Sequence, residues 1–195
     1  MNATLVAAPA AEPYTVAEAK ALVRTTISNA DHDAMLTRLI KTSRMMVEDQ
    51  TGRTIGSQQW QYSQAYWPKS RYLTLQVCPL ISVQSITYVT AGGTQTLSAS
   101  AYTVQARPDT FGKVSLNTGQ NWPTAVLLHP GLTVAYTCGH TPVPEQLKEA
   151  VGTLIVYWYD NPEAAIASTA YKAEVGILPL RYQELIAPFK LWGRR

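Results

Sequence analysis

Apolar positions recur at helical spacing over residues 33–51. Met35, Leu36, Leu39, Ile40, Ser43, Met46 and Val47 fall within an arc of roughly 140° at ~100° per residue. Arg38, Lys41, Arg44 and Glu48 occupy the opposite side. The pattern predicts one amphipathic helix that starts at Asp31 or Asp33 and closes at Gly52, because glycine adopts the left-handed conformation that ends a helix without steric cost. Upstream, Thr15-Val-Ala-Glu18 has the form of a capping box and opens a short helix to about Arg24, with Val16, Ala19, Leu22 and Val23 on its apolar side. A helix this short is not stable alone in water and must pack, most simply on the second helix. Residues 1–12 are rich in Ala and Pro, lack periodicity, and predict an extended arm.

After Arg53 the period changes to that of strands. Gln59-Trp-Gln-Tyr-Ser63 and Arg71-Tyr-Leu-Thr-Leu-Gln-Val77 alternate polar and apolar residues, and Val83 to Val89, Ala101 to Val104, Lys113 to Leu116 and Leu132 to Tyr136 continue the series. Ala91-Gly92-Gly93-Thr94 is a hairpin signal. Prolines 68, 79, 108, 123 and 130 fall between these segments, where a missing amide breaks no ladder. From Pro144 a third helix is expected, with proline in its first turn. Leu147, Ala150, Val151, Leu154, Ile155 and Trp158, joined by Tyr157 and Tyr159, widen its apolar arc to roughly 200°, and Val156 lies outside even that. Such a helix is covered on more than one side, by its own fold or by a neighbouring subunit. Asn161-Pro162 ends it, residues 164–170 predict a mobile loop, and Pro179 to Ala187 a last short helix.

The expected class is therefore α+β. N- and C-terminal helices (residues 13–52 and 143–187) form a helical bundle around an inserted small antiparallel β region (53–142). An arm (1–12) and a tail (188–195) flank this single structural domain. Charge sharpens the picture. Charged residues make up 15% of the chain, against a usual ~25%. Residues 53–142 hold five basic and one acidic residue, whereas 1–52 hold five and six and 143–195 six of each. The inserted region has either a tightly wound, neutral surface or one that meets other protein, since interface cores are poor in charge and rich in aromatics. A formal net charge of +3 without a clustered basic stripe does not argue for nucleic acid.

Candidate chemistry is sparse. Dinucleotide, phosphate-loop, nucleophile-elbow, zinc-protease and calcium-loop patterns are absent. Asp31-His32-Asp33 is a metal fragment or, more simply, a helix N-terminus where acids complement the dipole. Cys138-Gly-His140 with Cys78 or His129 matches no established metal spacing, and the two cysteines are expected to be reduced and buried. No cofactor or metal is expected, nor a catalytic residue. No secretory signal is visible, and Leu154 to Tyr159 is too short to span a bilayer. A soluble, cytoplasmically made protein with no membrane partner is thus expected. Arg38, Lys41 and Arg44 form either an ordinary solvated face or a sequence-blind contact with DNA phosphates. The tail, with Phe189, Lys190, Leu191, Trp192, Arg194 and Arg195, either folds back or inserts into a partner.

Read in order, these segments resemble the head–tail connector (adaptor, or head-completion) proteins of long-tailed bacteriophages. Pro13-x-Thr15-Val-Ala-Glu18-Ala-Lys20 with Arg24 looks like the family's opening helix, and Leu36-x-x-Leu39-Ile40 with Val47-Glu48-x-x-Thr51-Gly52-Arg53 its second. Pro79-Leu80-x-Ser82-Val83-x-Ser85-Ile86-x-Tyr88, Trp122-Pro123, Val134-x-Tyr136-x-x-Gly139, Pro144-x-x-Leu147-Lys148-x-Ala150, Trp158-Tyr159-x-Asn161, Leu178-Pro179 and Leu185-Ile186-x-Pro188-Phe189 follow in place. Thr25-Thr26 and Pro162 depart from the pattern.

The resemblance implies a non-enzymatic virion protein at the head–tail interface, present in the host cytoplasm during assembly. It would form a dodecameric ring under the portal protein, extend the DNA channel, and offer a docking surface to a tail-side stopper or tail-completion protein. On this reading the tail residues insert into the portal and Arg38, Lys41 and Arg44 border the channel. Val156, Tyr157 and Tyr159 then serve contacts between subunits. The alternative is a small carbohydrate- or protein-binding β module with helical flanks, in which Trp60, Tyr62, Tyr66, Trp67 and Tyr72 make an aromatic platform. An enzyme ranks third.

Overall fold

A computed structural model of the chain describes residues 2–107, 110–124, 126–162 and 179–191. The expected mobile loop at 164–170 lies outside them. The fold is α+β with antiparallel sheets, and the chain divides into two compact units, Met1–Ala10 with Gly56–Thr141 and Ala11–Ile55 with Pro142–Arg195.

The second unit holds helices α1 (Val16–Leu22), α2 (Ala30–Thr51), α3 (Glu145–Asp160) and α4 (Leu180–Ile186). The capping box is present: Thr15 Oγ accepts from the Glu18 amide at 3.2 Å, and the Glu18 carboxylate accepts from the Thr15 amide at 2.7 Å. The Thr15 amide, its hydroxyl at 2.8 Å and Lys148 at 3.1 Å all donate to the Glu18 carboxylate and hold it down at about 2. The short helix gains its tertiary support from both α2 and α3. Tyr14, just before it, lies against Gly152 of α3, where an added Cβ would stand 2.7 Å from the phenol oxygen. Burial pushes that phenol up to about 12.

Asn29 caps α2 by accepting from the His32 amide at 2.8 Å, so the helix starts one residue before the earlier of the two expected positions. It ends as expected, with Gly52 at φ 71°. Leu36, Ile40, Ser43, Val47 and Thr51 form its buried stripe, whereas Met35, Leu39 and Met46 are only half-buried. Pro144 stands in extended backbone immediately before α3 rather than inside its first turn. One core joins the four helices, with Leu36, Ile40 and Val47 meeting Leu147, Val151, Leu154, Ile155, Tyr182 and Ile186.

The first unit contains β1 (Asn2–Ala7), β2 (Gln58–Gln64), β3 (Tyr72–Thr74), β4 (Leu80–Thr90), β5 (Gly93–Thr96), β6 (Tyr102–Gln105), β7 (Lys113–Leu116) and β8 (Leu132–Cys138). They form a five-stranded sheet in the order β1-β2-β8-β4-β5 and a three-stranded sheet in the order β3-β7-β6. Where the sequence predicts an arm, the chain lays an edge strand antiparallel to β2. Central β8 alternates strictly: Leu132, Val134, Tyr136 and Cys138 are fully buried and the residues between them half-buried. They share a core with Leu73 and Val114 of the smaller sheet. Both cysteines are buried and neither forms a disulfide, and the Cys138 thiol, raised in pKa by desolvation, donates to the Val77 carbonyl.

The glycine after β8 permits this packing. Gly139 has φ 133°, donates to the Pro79 carbonyl at 2.8 Å, and would place a Cβ 1.7 Å from the Gly56 carbonyl oxygen. Gly139→Ala therefore meets rigid backbone as well as a disfavoured φ and is expected to cost about 3 kcal/mol or more in denaturant unfolding. Gly119→Ala is the matched control, with φ 81° but nothing within 4 Å. It should cost only about 1 kcal/mol, and equal losses would contradict the contact account.

Candidate assembly surfaces

The end of α2 and the last described residues are tied together. Thr51 Oγ donates to the Val47 carbonyl at 2.7 Å and accepts from the Arg53 amide at 3.2 Å. The Arg53 guanidinium donates through Nε to the Phe189 carbonyl at 2.7 Å, and the Leu191 amide donates to the Thr51 carbonyl at 3.0 Å. Phe189 packs half-buried against the helical core, after a tight turn over Ala187–Phe189, and Lys190 reaches Gln183 Oε1 at 3.4 Å. The first half of the tail thus folds back on its own unit. Trp192, Arg194 and Arg195 lie outside the described residues.

The basic face of α2 is smaller than the sequence implies. Arg38 and Lys41 are exposed, but Arg44 is 7% exposed and is held by Glu12 at 2.8 Å and Glu48 at 2.5 Å. The other Glu48 oxygen accepts from the Ile55 amide at 2.7 Å. Arg44 is thus a structural cation, because a guanidinium this buried must find carboxylates. On α3, Val156 and Tyr157 are half-buried and line a shallow cavity of about 370 Å³ with Leu22 and Arg181. Tyr159 is engaged within its own unit, packed on the helical core and 3.2 Å from His32 Nε2 through its hydroxyl.

Asp31-His32-Asp33 disperses: Asp33 pairs with Lys20 at 2.6 Å and His32 turns to Tyr159. Among the described residues no three His, Cys, Asp or Glu side chains group as metal ligands, and no helix is long and apolar enough to cross a membrane.

The aromatic platform is reassorted in the β unit. Tyr62 is buried and donates to Gln64 Oε1 at 2.8 Å, and Trp60 is half-buried. Tyr66 and Tyr72 are exposed, and Trp67 lies between Trp122 (stacked, 5.9 Å) and Tyr88 (edge-on, 5.1 Å). Of these residues, Tyr62, Tyr66, Trp67 and Tyr72 line a groove of about 1010 Å³.

The fold is shared, over the full length of both chains, with proteins of gene transfer agent (GTA) particles. It is similar to a chain in the neck of an empty GTA particle computed with C6 symmetry (20% identity, TM-score 0.76) and one in the virion of a native gene transfer agent (GTA) particle (21%, 0.73). A chain in the neck of a native GTA particle computed with C12 symmetry is also similar (19%, 0.72). No curated protein sequence matches. The profile of the head completion protein family matches residues 15–171, and the chain belongs to that family of structural virion components.

The anchoring residues Thr51 and Arg53 were visible in the sequence only as part of a family pattern. Their C-terminal partners, Leu191 and Phe189, lie more than 130 residues away, beyond any local signal. The difference between the helix cations has a direct test. Arg44→Met strands two partly buried carboxylates and is expected to lower unfolding stability by about 1–3 kcal/mol. Arg38→Met should stay within about 0.5 kcal/mol. Denaturant midpoints measure both, and indistinguishable values would return Arg44 to the solvated face.

Proposed function

We propose that this chain is a head–tail connector: a virion protein that seats on the portal as a ring, continues the DNA channel and receives the tail-side stopper or completion protein. The observation that carries this reading is the family match over residues 15–171, supported by the full-length likeness to neck proteins. Those necks were computed with C6 and C12 symmetry, and a ring of twelve copies satisfies both operators. Such a ring needs head-to-tail contacts that close at the right rotation. Val156 and Tyr157, which rim a shallow cavity on an otherwise packed helix, suit that contact. The helices before and after the β region act as one bundle, the rigid part of each subunit. Arg38 and Lys41 border the channel as phosphate neighbours. Two exposed cations per subunit suit a lumen through which DNA must slide without being gripped. The particle's head–tail interface is its final location, and the host cytoplasm the place of its assembly.

The C-terminal residues make the portal contact in this reading. Leu191 is fixed by Thr51, so Trp192, Arg194 and Arg195 leave from a defined point and bring one large aromatic and two cations to the partner. Deleting residues 192–195 keeps the anchor. It should leave Tm unchanged while abolishing co-sedimentation with portal-bearing heads. Deleting 189–195 removes the Phe189 acceptor of Arg53 as well and should lower stability by a further ~1–3 kcal/mol. Wild-type head binding by the shorter deletion would overturn the tail's role.

A further inference from the structure

We infer that the aromatic groove of the β unit is the docking site for an extended segment of the tail-side protein that carries both acidic and apolar side chains. The inference rests on the connector reading for the identity of the partner, and on the groove itself for its chemistry. Tyr66 is 80% exposed and Tyr72 50%, which is unusual for large aromatics on a surface that meets only water. Lys69 and His129 share the lining, and the Lys113 ammonium sits 5.1 Å from the centroid of the Tyr72 ring. Among the described residues no carboxylate lines the groove, and none in this unit is acidic. By sequence the unit holds four Lys and Arg against Asp109, while the helical unit has twelve of each sign. The excess positive charge of the chain therefore resides in the unit that holds the groove, with Lys69 in its lining and Lys113 against Tyr72.

The groove is also built in advance of its ligand. Gln64 donates to the Tyr66 carbonyl at 2.5 Å, and the Trp122 indole donates to the Ser70 carbonyl at 2.8 Å. Gly131 approaches so closely that an added Cβ would stand 2.4 Å from the Gln64 carbonyl oxygen. The loop that carries Tyr66 and Lys69 is thus braced at both ends, and binding need not order it.

This combination selects among partners. A neutral sugar would use the aromatic wall and leave the cations unused. Duplex DNA offers phosphates but keeps its bases stacked, leaving the aromatic wall unused. The β unit of a second copy carries the same positive excess and would be repelled. A peptide that interleaves carboxylates with apolar side chains meets both features.

Two measurements on the full-length protein test the assignment. In the first, a Tyr66→Ala/Lys69→Glu variant with unchanged Tm is mixed with portal-bearing heads and then with tails. Head binding should equal wild type, and tail joining, counted by electron microscopy, should fall at least tenfold. Wild-type joining overturns the proposal, and loss of head binding or of the ring reassigns the groove to the portal or to a second copy. In the second, the free protein is titrated with a capped octapeptide alternating Glu and Leu, read by the chemical shifts of groove amides. Saturable shifts confined to the groove are expected, weakened by salt and at least tenfold in the double variant, with none from the Lys–Leu counterpart. Absence of such shifts overturns the groove chemistry whatever the heads do, whereas wild-type protein that fails to bind heads indicts the connector reading instead.

Discussion

A guanidinium withdrawn from water must be fully paired, and that requirement at Arg44 organises the helical unit. Its partners are Glu12, which lies just after the chain enters this unit at Ala11, and Glu48, which also accepts from Ile55, where the chain leaves for the β region. One cation thus fastens the points where residues 11–55 enter and leave the helical unit to the last turns of α2. Three residues further on, Thr51 and Arg53 fasten the C-terminal segment by its backbone. Backbone partners matter here, because they fix the path of the chain whatever side chains follow. Breaking such a pair costs more than its net worth, since the remaining charge keeps its desolvation penalty. The end of α2 is therefore a junction for three stretches of sequence that have no neighbours in common along the chain.

How much of this could be read in advance depended on how local the determinants are. The α2 stripe, the glycine that ends it, the Thr15–Glu18 box and the alternation of β8 are set by residues a few positions apart, and all are found in the structure. Strand β1 was missed because Asn-Ala-Thr-Leu-Val-Ala has little pattern of its own. As an edge strand it is defined by the row of β2 amides and carbonyls beside it. Arg44 could not be told from Arg38 or Lys41 on a helical wheel, because the deciding carboxylate is Glu12, thirty-two residues away. Phe189 had two readings for the same reason, and the Arg53 donor that selects folding back lies 136 residues from it. The exposed aromatics were noticed as a set, but β alternation and loop bracing, not composition, determine that Tyr62 turns inward and Tyr66 outward.

The two units differ in what their surfaces can do. The helical unit balances its charges and commits many of them to internal pairs, such as Lys20–Asp33, Arg44–Glu48 and Lys148–Glu18. Its apolar residues are largely consumed by one core. On the connector reading such a unit suits repetition around an axis. The β unit keeps cations without matching carboxylates and leaves large aromatics in solvent. On the proposed connector reading, a division between a helical seat and an adhesive β face would let the chain serve two neighbours in succession.

On the proposed reading the chain, anchored at Thr51 and Arg53, delivers its last residues to the portal. The most direct measurement of that delivery is site-specific photo-crosslinking in assembled particles, with a Trp192→p-benzoylphenylalanine variant irradiated and the adduct identified by mass spectrometry. The account predicts an adduct with the portal protein and none with the tail-side protein. An adduct confined to a second copy of this chain, or to the tail side, would contradict it.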